Sequence, residues 1–199
     1  MKTSIFISFF CIFCLIGSIK GYSSKIIENQ VMKSKIMPED VHYSVYLPPC
    51  YDVSDRSYPI VYLLHGYTDN ETAWVQFGDV QRIADQGIEN GTISPCIIVM
   101  PDGKETYYIN TFEGKEPFED MFIKEFIPHI EKEYRVRKGK EFRGISGLSM
   151  GGYGSLLLSL KHPDLFTACA AYSAAVRTKE NMRNIQNSRY KNLLKKLYG

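Results

Sequence analysis

Residues 142–161 read FRGISGLSMGGYGSLLLSLK. Phe142 to Ile145 predicts a short strand and Met150 to Lys161 a helix, and between them stands Gly147-Leu148-Ser149-Met150-Gly151, a G-x-S-x-G pattern. Five residues alone are a weak signal. A strand before and a helix after supply the context in which such a turn lifts a serine hydroxyl above the end of a sheet. The turn is sharp enough that a side chain two positions before or after the serine collides with neighbouring backbone, which accounts for Gly147 and Gly151. It also sets Ser149 at a helix N-terminus, where free N–H groups and the helix dipole favour developing negative charge. These features make Ser149 a candidate nucleophile and the Met150 N–H one candidate donor to an oxyanion.

Working outward, Ile60 to Leu64 (IVYLL) and Cys96 to Met100 (CIIVM) are short apolar runs with no polar face, the pattern of central parallel strands covered on both sides. Val41 to Leu47 (VHYSVYL) alternates and stops at Pro48-Pro49, and Phe166 to Tyr172 predicts a last strand. Val80 to Asn90 has helical spacing closed by Gly91. Glu119 to Tyr134 reads as an amphipathic helix, with Pro128 expected to kink it. Strands and helices alternate without a linker or repeat, so the expected fold is α/β, one domain built on a doubly wound, mostly parallel sheet. The loop His65-Gly66-Tyr67 follows IVYLL directly. Its glycine would let backbone approach a substrate oxygen, with the Tyr67 N–H as second candidate donor; the alternative is a plain strand-ending turn.

The segments YPIVYLLHGYTDNETAW (58–74), IIVMPDG (97–103), FIPHIEKEYRV (126–136) and GISGLSMGGYGSLLLSLKHPDLF (144–166), in that order, resemble the esterase branch of the α/β-hydrolases. That branch holds the feruloyl and acetylxylan esterases of carbohydrate esterase family 1, S-formylglutathione hydrolase (esterase D) and the mycolyltransferases. The resemblance runs from about Val41 to Val176. It implies Ser149 as nucleophile, Tyr67 and Met150 as oxyanion donors, and an acyl-enzyme mechanism without metal or cofactor. In this fold the order is serine, then Asp or Glu, then His, but only 50 residues follow Ser149 and the one histidine among them is His162. His162-Pro163-Asp164 resembles a structural corner after the helix, Glu180 precedes no histidine, and His65 belongs to the oxyanion loop rather than to a base. Asp102 is expected to shape the site. The expectation is therefore that these 199 residues lack the triad acid and histidine together with the last strands of the sheet.

The remaining features bound the setting. The chain has 199 residues, 44% hydrophobic and 23% charged, which is globular composition. Lys2 followed by the uncharged, mostly apolar run Thr3 to Ile19 predicts a signal peptide over residues 1–21, a membrane anchor being the alternative. The expected domain is residues 22–199, secreted. Its charge is neutral overall, but Tyr22 to Val176 carries −6 and Arg177 to Gly199 carries +6. The basic tail reads as the solvated face of a terminal helix, and no nucleic-acid surface is evident. Secretion favours a polysaccharide esterase, with an acylated polysaccharide such as xylan, or a small ester, as substrate. Cys50, Cys96 and Cys169 match no zinc spacing and read as buried thiols. Asn70-Glu71-Thr72 and Asn90-Gly91-Thr92 are glycosylation sequons. Trp74 and Tyr107-Tyr108 are candidates for an aromatic acyl pocket, with core or rim packing as the plainer reading.

Overall fold

A computed structural model describes residues 23–178, 180 and 188–199. The expected signal peptide lies outside the described residues. Six strands form one sheet: β1 (Lys25–Met32), β2 (Val41–Leu47), β3 (Ile60–Leu64), β4 (Ile97–Pro101), β5 (Arg143–Leu148) and β6 (Ala168–Tyr172). Their spatial order is β1-β2-β4-β3-β5-β6. β4, β3, β5 and β6 run parallel, and β2 and β1 join antiparallel at one side. The doubly wound α/β expectation is met, and the apolar runs IVYLL and CIIVM are the central strands. No described helix is long and apolar enough to cross a membrane.

The helices are α1 (Ala73–Gln76), α2 (Val80–Glu89), α3 (Phe118–Met121), α4 (Ile127–Glu133), α5 (Met150–Lys161) and α6 (Ser188–Tyr198). α2 ends where expected, with Gly91 at φ 74°, the left-handed conformation that closes a helix most easily without a Cβ. Val80 and Ala84 of α2 pack on Tyr46, Ile98 and Met100 on one face of the sheet. On the other face a larger core gathers Tyr62, Leu64, Val99, Ile145 and Leu158 with the rings of Phe118, Phe122 and Phe126. Phe118 stacks on Phe122 and Phe122 on Phe126, at centroid distances of 6.0 and 5.7 Å.

Four sequence expectations are corrected. β1 read as a polar entry because Lys25, Glu28 and Gln30 break its apolar pattern; pairing with β2, with a register shift between Ile27 and Gln30, makes it an edge strand. β2 in turn is buried at every position but His42 rather than alternating, since β1 and β4 flank it and cores cover both faces. The helix over 119–134 is not merely kinked at Pro128. A π-helical stretch, Phe122–Phe126, separates α3 from α4, so that Pro128 falls in the first turn of α4, where its missing N–H costs least. The basic tail forms α6, which buries Leu193 and Leu197 and leaves Lys191 and Lys195 exposed, in agreement with the solvated-face reading. The thiols depart from expectation: Cys50 and Cys96 are half-buried and Cys169 is exposed.

Candidate active site

Ser149 sits between the C-terminal end of β5 and the first residue of α5, half-buried, with φ 56° and ψ −109°. Residues with a Cβ avoid this conformation, at a cost of about 1–3 kcal/mol. Three backbone hydrogen bonds hold it: the Ser149 N–H donates to the Tyr172 carbonyl at 2.9 Å, and the Ser149 carbonyl accepts from Tyr153 at 3.0 Å and Ala175 at 2.9 Å. The two flanking glycines have the steric role expected of them. A Cβ on Gly147 would lie 2.5 Å from the Gly151 backbone, and one on Gly151 would overlap the Leu64 carbonyl and come within 2.7 Å of that of His65. The serine turn is therefore packed directly onto the end of β3.

That packing brings His65-Gly66-Tyr67 beside the turn, since a Cβ on Gly66 would reach the Leu148 carbonyl at 3.9 Å. Met150 is fully buried as a side chain, and its N–H is the first of α5, among the groups that have no carbonyl partner within the helix. Tyr67 is half-buried, and its phenol donates to Glu105 at 3.0 Å. The three residues singled out from the sequence thus belong to two adjoining loops at the C-terminal edge of the parallel strands. In open α/β sheets ligands occupy that edge.

His65 is 1% exposed. The Gly103 N–H donates to its Nε2 at 2.8 Å, so Nε2 carries a lone pair and Nδ1 carries the proton, which it shares with the Gly66 carbonyl at 2.7 Å. Both ring nitrogens are occupied, and the imidazole clamps two loops together. Asp102 approaches Nε2 at 3.4 Å, a contact between two acceptors rather than an ion pair. Burial works against charge on Asp102, but the Lys104 N–H donates to its carboxylate at 2.8 Å and favours the charged form. Tyr108 donates to the His65 carbonyl at 3.0 Å, and burial pushes its phenol well above the ordinary value, so it remains a donor. Sequence reading missed this support layer. The aromatic pair was noted, but nothing local reveals that Tyr107 and Tyr108 both adopt positive φ, 55° and 61°, which sends Tyr108 inward.

The other histidines lie elsewhere. His162 bonds Glu119 at 2.9 Å beyond the far end of α5, whose 12 residues span about 18 Å. His129 pairs with Tyr43 of β2 at 3.3 Å, and His42 lies on β2 itself. β2 is three strand spacings from β5, about 14 Å. None of the four histidines is placed to take a proton from Ser149. No cluster of metal-ligating residues occurs among the described residues.

Two cavities open near the serine turn, one reaching Leu148 and the other Ala175. One, of about 280 Å³, lies against Gly66 and Leu148 and is walled by Trp74 and Phe77. The other, of about 370 Å³, lies against Ala175 and is walled by Tyr107, Tyr153 and Tyr198. Of the aromatics noted in the sequence, Trp74 and Tyr107 are therefore cavity walls and Tyr108 is core.

The family model described as "Putative esterase" matches residues 34–194. A xylanase/feruloyl esterase of Xylanibacter ruminicola is 34% identical over 154 residues, covering 74% of this chain and 21% of that protein. An acetyl esterase of Caldicellulosiruptor saccharolyticus is 27% identical over 156 residues, covering 78% of this chain and 55% of that one. A solved ferulic acid esterase superposes with a TM-score of 0.79 at 30% identity, over 88% of this chain and 67% of that one. The chain thus spans only part of the length of these relatives.

Proposed function

Because the chain belongs to the esterase family of the α/β-hydrolases, we propose that it is a secreted serine carboxylic-ester hydrolase removing feruloyl or acetyl groups from plant polysaccharide such as xylan. The observation that carries this reading is the strained, triply anchored Ser149 beside the His65-Gly66-Tyr67 loop, with cavities reaching its neighbours Leu148 and Ala175. The relatives named for feruloyl and acetyl ester cleavage support the substrate class, and the apolar run within residues 1–21 supports secretion.

In this mechanism a base takes the Ser149 hydroxyl proton as Oγ bonds to the ester carbonyl carbon. The carbonyl oxygen becomes an oxyanion held by the N–H groups of Tyr67 and Met150, aided by the dipole of α5. Collapse breaks the ester C–O bond, the alcohol departs with the proton, and the acyl group stays on Ser149. Water then adds to the acyl carbonyl, releasing the acid and restoring the hydroxyl.

Three histidines lie away from Ser149 and His65 has both ring nitrogens bonded, which favours a second reading, in which these 199 residues form a binding module that keeps the serine turn without turnover. Methyl ferulate and 4-nitrophenyl acetate separate the two. Hydrolysis that disappears in Ser149→Ala supports the esterase; a folded chain that hydrolyses neither substrate selects the second reading. Losing one oxyanion donor costs about 10²–10³ in rate.

A further inference from the structure

The two cavities beside Ser149 differ in chemistry. The larger is walled by three tyrosines, Ala175, Val176 and Leu194 with Arg177, and suits an aromatic or short acyl group. The smaller presents Trp74 and Phe77 together with the Asp69 side chain. Phe77 is 83% exposed, a large ring left in water at the cavity mouth. The Trp74 ring is held in place, its Nε1–H donating to the Leu64 carbonyl at 3.2 Å, and Gly78 gives it room, since a Cβ there would lie 2.6 Å from the indole. Asp69 is exposed, and its carboxylate takes part in no hydrogen bond or ion pair among the described residues.

An anchored indole and an exposed phenyl ring beside an unpaired carboxylate match a sugar ring, which offers apolar C–H faces to stack on and hydroxyls to donate outward. We propose that the cavity between Trp74, Phe77 and Asp69 is the subsite for the sugar, the alcohol half of the ester. At about 280 Å³ it lies just below the usual range of ligand sites, about 300 to 1,000 Å³, and holds one ring, with the next ring of a chain outside it. The ester then straddles Ser149, with sugar on the Leu148 side and acyl group on the Ala175 side. Phe77 and Asp69 become specificity residues outside the serine turn, Asp69 bonding the Gly66 carbonyl through its backbone N–H and leaving its carboxylate to the cavity. This assignment rests on the esterase reading for its orientation, but sugar binding is measurable without turnover.

Trp74 is the only tryptophan of the chain, so its fluorescence reports on this cavity alone. Titration of the whole chain with xylobiose, which carries no acyl group and does not absorb in this range, is expected to give a saturable change in Trp74 emission. Phe77→Ala, at an exposed position, is expected to weaken binding about tenfold with the circular dichroism unchanged. Asp69→Asn is expected to weaken it severalfold, and Ser149→Ala to leave it intact. An emission unmoved by xylobiose, or a Phe77→Ala variant with the same midpoint, overturns the proposal. So does competition for xylobiose by ferulate, which would place the acyl group in this cavity. Absence of ester turnover in the unaltered chain, with sugar binding present, would sink the esterase reading and leave the sugar site standing.

Discussion

At Ser149 the backbone conformation costs energy and is held by contacts that also position the side chain, so the residues most sensitive to change are the silent ones around it. Gly151 lies against the Leu64 and His65 carbonyls. Gly151→Ala must push β3 and α5 apart, and is expected to destabilise the fold by about 3 kcal/mol, read as a lower urea midpoint. Leu148→Ala, at an exposed position on the same turn, is expected to leave that midpoint nearly unchanged. The cysteines give a second residue-scale test. Burial pushes the Cys96 thiol up to about 11, whereas Cys169 is exposed. Only the thiolate attacks iodoacetamide, and a raised pKa delays its formation as pH rises. At pH 8, mass mapping should find Cys169 alkylated first and Cys96 only slowly, with Cys96 catching up as the pH approaches 11.

Among the elements, the two edges of the sheet contrast. β1 carries Lys25 and Glu28 and breaks register between Ile27 and Gln30, features that discourage pairing with another chain. β6 reads Ala-Cys-Ala-Ala-Tyr, has no charge or proline, and leaves four of its five residues exposed, with no described strand on its outer side. Concentration-dependent association is therefore expected of the 199-residue chain in sedimentation velocity. Ala170→Lys should reduce it while leaving the far-ultraviolet circular dichroism unchanged. The π-helical stretch ahead of Pro128 shows how one residue shapes an element. The proline forbids a regular helix through 119–134, and the wider turn still places Phe122 and Phe126 in the core.

Across the molecule, the +6 tail and the −6 body suggest electrostatic docking of α6, but the structure assigns the stronger part to packing. Lys196 pairs with Glu116 at 2.5 Å with both side chains part-exposed, and such pairs contribute about 0–1 kcal/mol. Leu193 and Leu197 are 7% and 2% exposed within the larger core. Leu197→Ala should cost about 2–4 kcal/mol, whereas raising salt from 0.05 to about 0.5 M should change the unfolding midpoint little. A large salt effect in chemical denaturation would reverse that ranking.

Strand and helix alternation, the two fully apolar central strands, the Gly91 stop and the glycine-flanked serine were all legible in the chain, because each depends on neighbours within a few residues and on one side chain's size or shape. β1 was not, since its half-polar sequence becomes a strand only by pairing with β2. The same holds at the site. The sequence by itself determined that Ser149 would stand on a strand-to-helix turn, with His65-Gly66-Tyr67 ending the strand before. Only the tertiary structure decided that His65 is a neutral clamp between Gly66 and Gly103, that Tyr108 turns inward to hold it, and that the aromatics divide between two cavities. Hydrogen bonds between residues 38 and 43 positions apart carry no local signature. They exist only once the sheet has brought the loops after β3 and β4 to the same edge.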